Sequence, residues 1–121
     1  MMKSRVLALI PVTIVGLFAL RAFAEARIVE FHIPAGTDSA TWNTQDTLIE
    51  LSIGDTLRIV NDDSVPHALH TDDGQPCEHG TEMAPHGGTV DCVIGEPYNA
   101  LQDGPLYDHN TRAPALWLVA Q

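Results

Sequence analysis

Cationic side chains are scarce in this chain: six Lys and Arg stand against 16 Asp and Glu, for a formal net charge of −10. A surface this acidic repels phosphate backbones and anionic lipid, so nucleic acid and anionic membrane surfaces are not expected partners. It favours cations and basic proteins instead. Several catalytic signatures are also missing. There is no Gly-x-Ser-x-Gly elbow, no His-Glu-x-x-His helix motif and no phosphate-cradling glycine loop. The spacing of an EF-hand calcium loop is absent, and Asp62-Asp63 and Asp72-Asp73 read as solvated turn residues. No internal repeat or low-complexity tract occurs. Past residue 24 no segment has the periodicity of an amphipathic helix, and no second apolar run reaches spanning length.

The first 24 residues are of a different kind. Lys3 and Arg5 make a basic start, residues 6–20 are apolar apart from Thr13, and Ala22-Phe23-Ala24 supplies small residues where a signal peptidase reads. This order is that of a cleavable secretory signal, with the cut expected between Ala24 and Glu25. The apolar run of about 15 residues is shorter than the roughly 20 of a spanning helix. Loss of Lys3, Arg5 and Arg21 would take the formal charge from −10 to −13. The expectation is a signal over residues 1–24, one exported domain over residues 25–121, a periplasmic or secreted location and no membrane span after cleavage.

The remaining chain reads as short strands. Apolar and polar residues alternate over residues 26–33, 47–53, 56–61, 65–70, 89–94 and 115–120, bounded by Gly, Pro, Asn and Asp. Val29, Phe31 and Ile33 share one face, as do Ile49, Leu51 and Ile53, then Leu57 and Ile59, then Val90, Cys92 and Ile94. Short strands at this spacing predict an all-β sandwich or small barrel. Residues 71–88 are polar and carry Pro76, Pro85 and four glycines, which predicts a long structured loop.

Cys77 and Cys92 are the only cysteines. In an oxidising compartment an even pair reads first as a disulfide. A thiolate metal ligand at Cys77 and two unpaired buried thiols are the other readings. All six histidines, His32, His67, His70, His79, His86 and His109, follow the signal segment. Imidazole is the commonest protein ligand for copper and zinc. His32 falls opposite the apolar face of its strand and reads as exposed. His79 and His86 lie in the polar loop. His67 and His70, three apart, point to opposite faces of an extended strand, so one metal cannot easily take both unless the strand bends.

Gly54-Asp55-Thr56-Leu57-Arg58-Ile59-Val60-Asn61, followed by Val65-Pro66-His67, resembles the cupredoxin signature. In that family a strand opening after Gly-Asp leads to a Pro-His whose imidazole binds copper. Ala84-Pro85-His86-Gly87-Gly88-Thr89-Val90 resembles the turn that opens the next strand. Leu106-Tyr107-Asp108-His109 is similar to the Tyr-x-Cys that closes the penultimate strand, and Ala115-Leu116-Trp117-Leu118-Val119 to the last strand. The resemblance implies a cupredoxin-like Greek-key β-sandwich holding copper.

One departure bears on chemistry. A blue-copper site has Cys, His and usually Met after the penultimate strand, whereas residues 107–114 contain neither Cys nor Met, and His109 falls at the Cys position. Without a thiolate the expected centre is a non-blue, tetragonal type 2 site. His67 and His109 are the first expected ligands. His70, His79, His86 and Asp108 are candidates for a third, Asp108 also as a hydrogen-bonding partner of a ligand. Cys77-Glu78-His79 with Met83 imitates the blue-copper ligand loop, but precedes the Thr89 strand instead of following it. The expected role is copper carriage or electron transfer with a basic redox or copper-delivery partner. A metal-free accessory module of the same fold is the alternative, and a metal scavenger using the histidine-rich loop is a third reading.

Overall fold

The computed structural model describes residues 25–37 and 41–121. The segment carrying the expected export signal lies outside the described residues. Within them the order is β1 (Ile28–Ile33), a 3-10 turn (Gln45–Thr47), β2 (Ile49–Leu51), β3 (Thr56–Asn61), β4 (Leu69–His70), β5 (Gly88–Val93), β6 (Tyr98–Asn99), α1 (Ala100–Asp103), β7 (Leu106–Asp108), β8 (Pro114–Leu116) and β9 (Leu118–Ala120).

Three small sheets form. β3 lies between β1, parallel to it, and antiparallel β5; β9 lies between parallel β2 and antiparallel β6; β7 lies between β4 and β8, antiparallel to both. Their inner faces share one core. Ile33, Leu57, Ile59 and Cys92 from the first sheet meet Leu51, Leu118 and Ala120 from the second and Leu69, Leu106 and Leu116 from the third. The result is the all-β architecture the sequence led us to expect, its sheets packed around one core. Strand β3 shows why the alternation was readable: Leu57, Ile59 and Asn61 are buried while Thr56, Arg58 and Val60 are only partly covered.

Other boundaries differ from the sequence expectation for identifiable reasons. The single strand expected over residues 115–120 is two, because the chain changes sheets at Trp117. The Trp117 N–H donates to Asn43 Oδ1 at 2.7 Å, and its carbonyl accepts from Asn43 Nδ2 at 2.9 Å and from the Ile49 N–H at 3.2 Å. The strand expected over residues 65–70 is reduced to Leu69–His70. His67 instead forms an isolated bridge with Met83. Ile53, expected on the core face, is 53% exposed: β2 ends at Leu51, and Ile53 keeps one backbone hydrogen bond, to the Gln121 carbonyl, as the chain enters the turn at Gly54. The helix α1, capped by Asn99, spans four residues and is too short to leave a periodic pattern.

The Gly-Asp and Asn of the recognised segment are both anchors. Gly54 has φ +99, a conformation open to glycine at little cost. Buried Asp55 accepts from the backbone N–H groups of Ser52 and Arg27 and from the Arg27 guanidinium. These hydrogen bonds hold its carboxyl down at about 2. Asn61 is fully buried, and its amide donates to the carbonyls of Val65, Met83 and Ala84. It thereby ties the entry to His67 against the turn before β5. In that turn Gly88 has no room for a side chain, since a Cβ would lie 2.4 Å from backbone atoms of Ala84.

Candidate metal centre

Strands β4 and β7 set the site. Leu69 pairs with Asp108 and His70 with Tyr107. Because side chains alternate across a strand, Leu69 and Asp108 go to the interior while His70 and Tyr107 share the outer face. The Tyr107 ring stacks on the His70 imidazole, with centroids 4.2 Å apart and planes 21° from parallel. His109 lies one residue beyond β7, and its N–H donates to the Ala68 carbonyl at 2.7 Å.

The third imidazole comes from the long loop. The Gly80 N–H donates to the Leu69 carbonyl at 3.1 Å, laying the loop along β4. That approach depends on glycine, because a Cβ at residue 80 would lie 3.0 Å from the same oxygen. Two residues before His79, Cys77 forms a disulfide with Cys92 of β5. Of the three readings of the cysteine pair, the disulfide is therefore the one the structure contains. Its 15-residue separation stabilises the fold by about 3 kcal/mol in the loop-closure account. It also excludes both sulfurs as metal ligands.

His70, His79 and His109 converge, each offering a ligand atom within 4.8 Å of the others. Nδ1 of His70 lies 3.2 Å from Nδ1 of His109. Two imidazole nitrogens bound to one ion at about 2.0–2.1 Å lie about 2.9 Å apart at a right angle and about 3.3 Å apart at the tetrahedral angle, so this pair falls within the chelating range. The outer hydrogen bonds fit as well. His70 Nε2 is 2.9 Å from Asp72 Oδ1, and His79 Nδ1 is 3.1 Å from the Thr71 carbonyl. A ring N–H given to such an acceptor leaves the opposite nitrogen with its lone pair, the usual arrangement around a metal-bound imidazole. The donor set suits copper: three imidazoles, no thiolate, and an exposed side open to a further ligand.

His67 is elsewhere in chemical terms. It is fully buried, its Nδ1 hydrogen-bonded to Asp108 Oδ2 and its Nε2 2.9 Å from Asp63 Oδ2, with the Trp42 ring edge-on at a centroid distance of 5.6 Å. Burial acts against the charged imidazole, but the hydrogen bonds to Asp108 and Asp63 outweigh it and raise the His67 pKa. Asp63 moves the other way, to about 2, through its hydrogen bonds to His67 and to the Gly36 N–H. Asp108 has no oxygen to spare: Oδ2 meets His67, and Oδ1 accepts from the backbone of Ala68 and Asn110.

The six candidate ligands expected from sequence therefore do not share one place. His70 and His109 join His79 in the open cluster, while His67 and Asp108 are coupled in the interior with both imidazole nitrogens occupied. The alternation along β4 and β7 puts His70 outside and Asp108 inside, while His67, ahead of β4, is buried through its bridge to Met83. His86 sits at an exposed turn with φ +60, and His32 is exposed between Glu30 and Asp62; neither belongs to the cluster. Met83, part of the imitated ligand loop, is buried in the core. Asp63, expected to be a solvated turn residue, is instead buried against His67, whereas Asp72 is exposed as expected and also meets His70. Asp63 stands four residues before His67 and Asp72 two residues after His70, but acidic residues are too common in this chain for those spacings to single them out.

No protein-family model and no curated protein matches the sequence. Among solved structures the chain is similar to one described as a novel purple cupredoxin from Nitrosopumilus maritimus, with 21% identity over 77% of this chain and 99% of that one, and a TM-score of 0.49.

Proposed function

We propose that this protein is an exported copper-binding protein whose ion is held by His70, His79 and His109. The observation that carries the reading is the convergence of three imidazoles, two of them with outer partners, at one end of a cupredoxin-like sandwich. Both cysteines are in the disulfide, so the site is non-blue and type 2 in character. Among divalent first-row ions, nitrogen sites of this kind bind Cu(II) most tightly. Export is supported by the residue pattern of the first 24 positions and by the disulfide, a bond typical of oxidising compartments. Among the described residues no helix is long and apolar enough to cross a membrane.

Exposure of His79 and His109 favours copper carriage, because a surface ion can be passed on by ligand exchange. The acidic surface favours a basic delivery partner. Electron transfer is the second reading, favoured by the stacked Tyr107 ring, 36% exposed, which links His70 to solvent. The test is a Cu(II) titration of the mature protein followed by EPR. One ion per chain, with nitrogen couplings lost in His109→Ala and His79→Ala, is expected. Absence of binding at low micromolar copper, or full binding in both variants, would refute the reading. Retention of copper through ascorbate reduction and reoxidation would favour electron transfer over carriage.

A further inference from the structure

Three arginines stand among the described residues, and two are paired. Arg27 meets Asp55 at 3.0 Å, and Arg58 meets Asp91 through two hydrogen bonds of 2.9 and 3.1 Å. Arg112 makes no ion pair or side-chain hydrogen bond among the described residues. In a chain with 16 carboxylates an unpaired guanidinium is unusual enough to ask what it faces.

It lies beside two of the three histidines. Arg112, His70, Tyr107 and His109 line one hollow of about 160 Å³. At about 30 Å³ per water molecule this is room for roughly five waters, or a ligand of four or five heavy atoms. The backbone holds Arg112 there: its N–H closes a turn onto the Asp108 carbonyl at 2.7 Å, and its φ is +62. That left-handed conformation costs energy for any residue with a side chain and is commonly left to Gly or Asn.

We propose that the hollow is a binding site for a small monoanion, such as a short carboxylate, held between the Arg112 guanidinium and the ion at His70, His79 and His109. This rests on the copper-binding reading above. A guanidinium offers paired N–H donors matched to a carboxylate, and three imidazoles leave a coordination position for one of its oxygens. The molecule as a whole repels anions, so affinity must come from these two local positive centres. No other cation lines the hollow. The Tyr107 ring forms its wall and limits the size of the guest.

Azide is a convenient probe, because its bond to Cu(II) gives a charge-transfer absorption. Copper uptake is measured first, in chloride-free buffer, for the mature wild type, Arg112→Gln and Arg112→Lys; azide is then titrated into each loaded protein. All three should take up copper alike, with azide binding weakened about tenfold in Arg112→Gln and partly restored in Arg112→Lys. Acetate should compete with azide in the wild type. Equal azide affinity in wild type and Arg112→Gln, with copper loaded in both, would overturn the anion site and leave the copper site standing. Failure of the wild type to take up copper would overturn both.

Discussion

His67 and His70 are three residues apart, yet their imidazoles live under opposite conditions. His67 is sealed in the interior between two carboxylates. His70 is on the outer face, 19% exposed, with one nitrogen on Asp72 and the other beside His109. The difference teaches that burial and the kind of partner, more than the count of histidines, separate the two: both His67 nitrogens meet buried carboxylates, whereas one His70 nitrogen meets only another imidazole. A buried imidazole with both nitrogens bonded to carboxylates is a charged strut. A partly exposed imidazole anchored on one side and facing two others is the better placed of the two to meet an ion.

Replacing each kind of histidine is the sharpest way to break the comparison. His67→Ala would leave Asp63 and Asp108 buried without their cation and should destabilise the fold by about 3–5 kcal/mol, read from urea unfolding. His109→Ala removes an exposed side chain and should change stability by no more than about 0.5 kcal/mol while abolishing tight copper binding. Equal stability losses in the two variants would erase the distinction. Removing the disulfide with Cys77→Ser and Cys92→Ser together should cost about 3 kcal/mol. It should also weaken copper binding, because the bond anchors the loop that presents His79; isothermal titration of the folded double variant checks this.

The buried network should also write its own pH dependence. Asp63 ionises at about 2 in the folded protein against 3.8 as its ordinary value, so its contribution is present above about pH 4 and fades as pH falls toward 2. The His67 pKa is raised, so its contribution is complete below about 6.5 and is lost as pH rises through the raised value. Thermal melts across pH should therefore show both limbs, with Asp63→Asn flattening the acid one. The smallest effect is expected on the open side. Asp72→Asn should weaken copper about tenfold through the orientation of His70, with stability unchanged because Asp72 is 81% exposed. A loss of stability there would show that the carboxylate supports the fold instead of the ligand.

The β-sandwich was readable because alternation reports directly on burial. Leu57, Ile59, Cys92 and Ile94 are interior, as their spacing indicated. The separation of His67 from His70 was expected from a strand over residues 65–70; it holds, but through the isolated bridge of His67 to Met83, because the strand covers only Leu69–His70. Their assignment to roles was not, because it depends on Asp63 and Asp108, which reach His67 from four residues and 41 residues away. His79 was only one candidate among several. Its place is set by Gly80 lying against Leu69 and by a disulfide to β5, contacts that no local pattern encodes.

The central claim is that copper sits among His70, His79 and His109 and not on His67. A crystal of the copper-loaded protein over residues 25–121, measured above and below the copper absorption edge, tests it most directly. The account expects one anomalous peak about 2.0 Å from a ring nitrogen of each of the three histidines, with His67 still hydrogen-bonded to Asp63 and Asp108. A peak on His67, or none near the three histidines at full copper occupancy in solution, would contradict it.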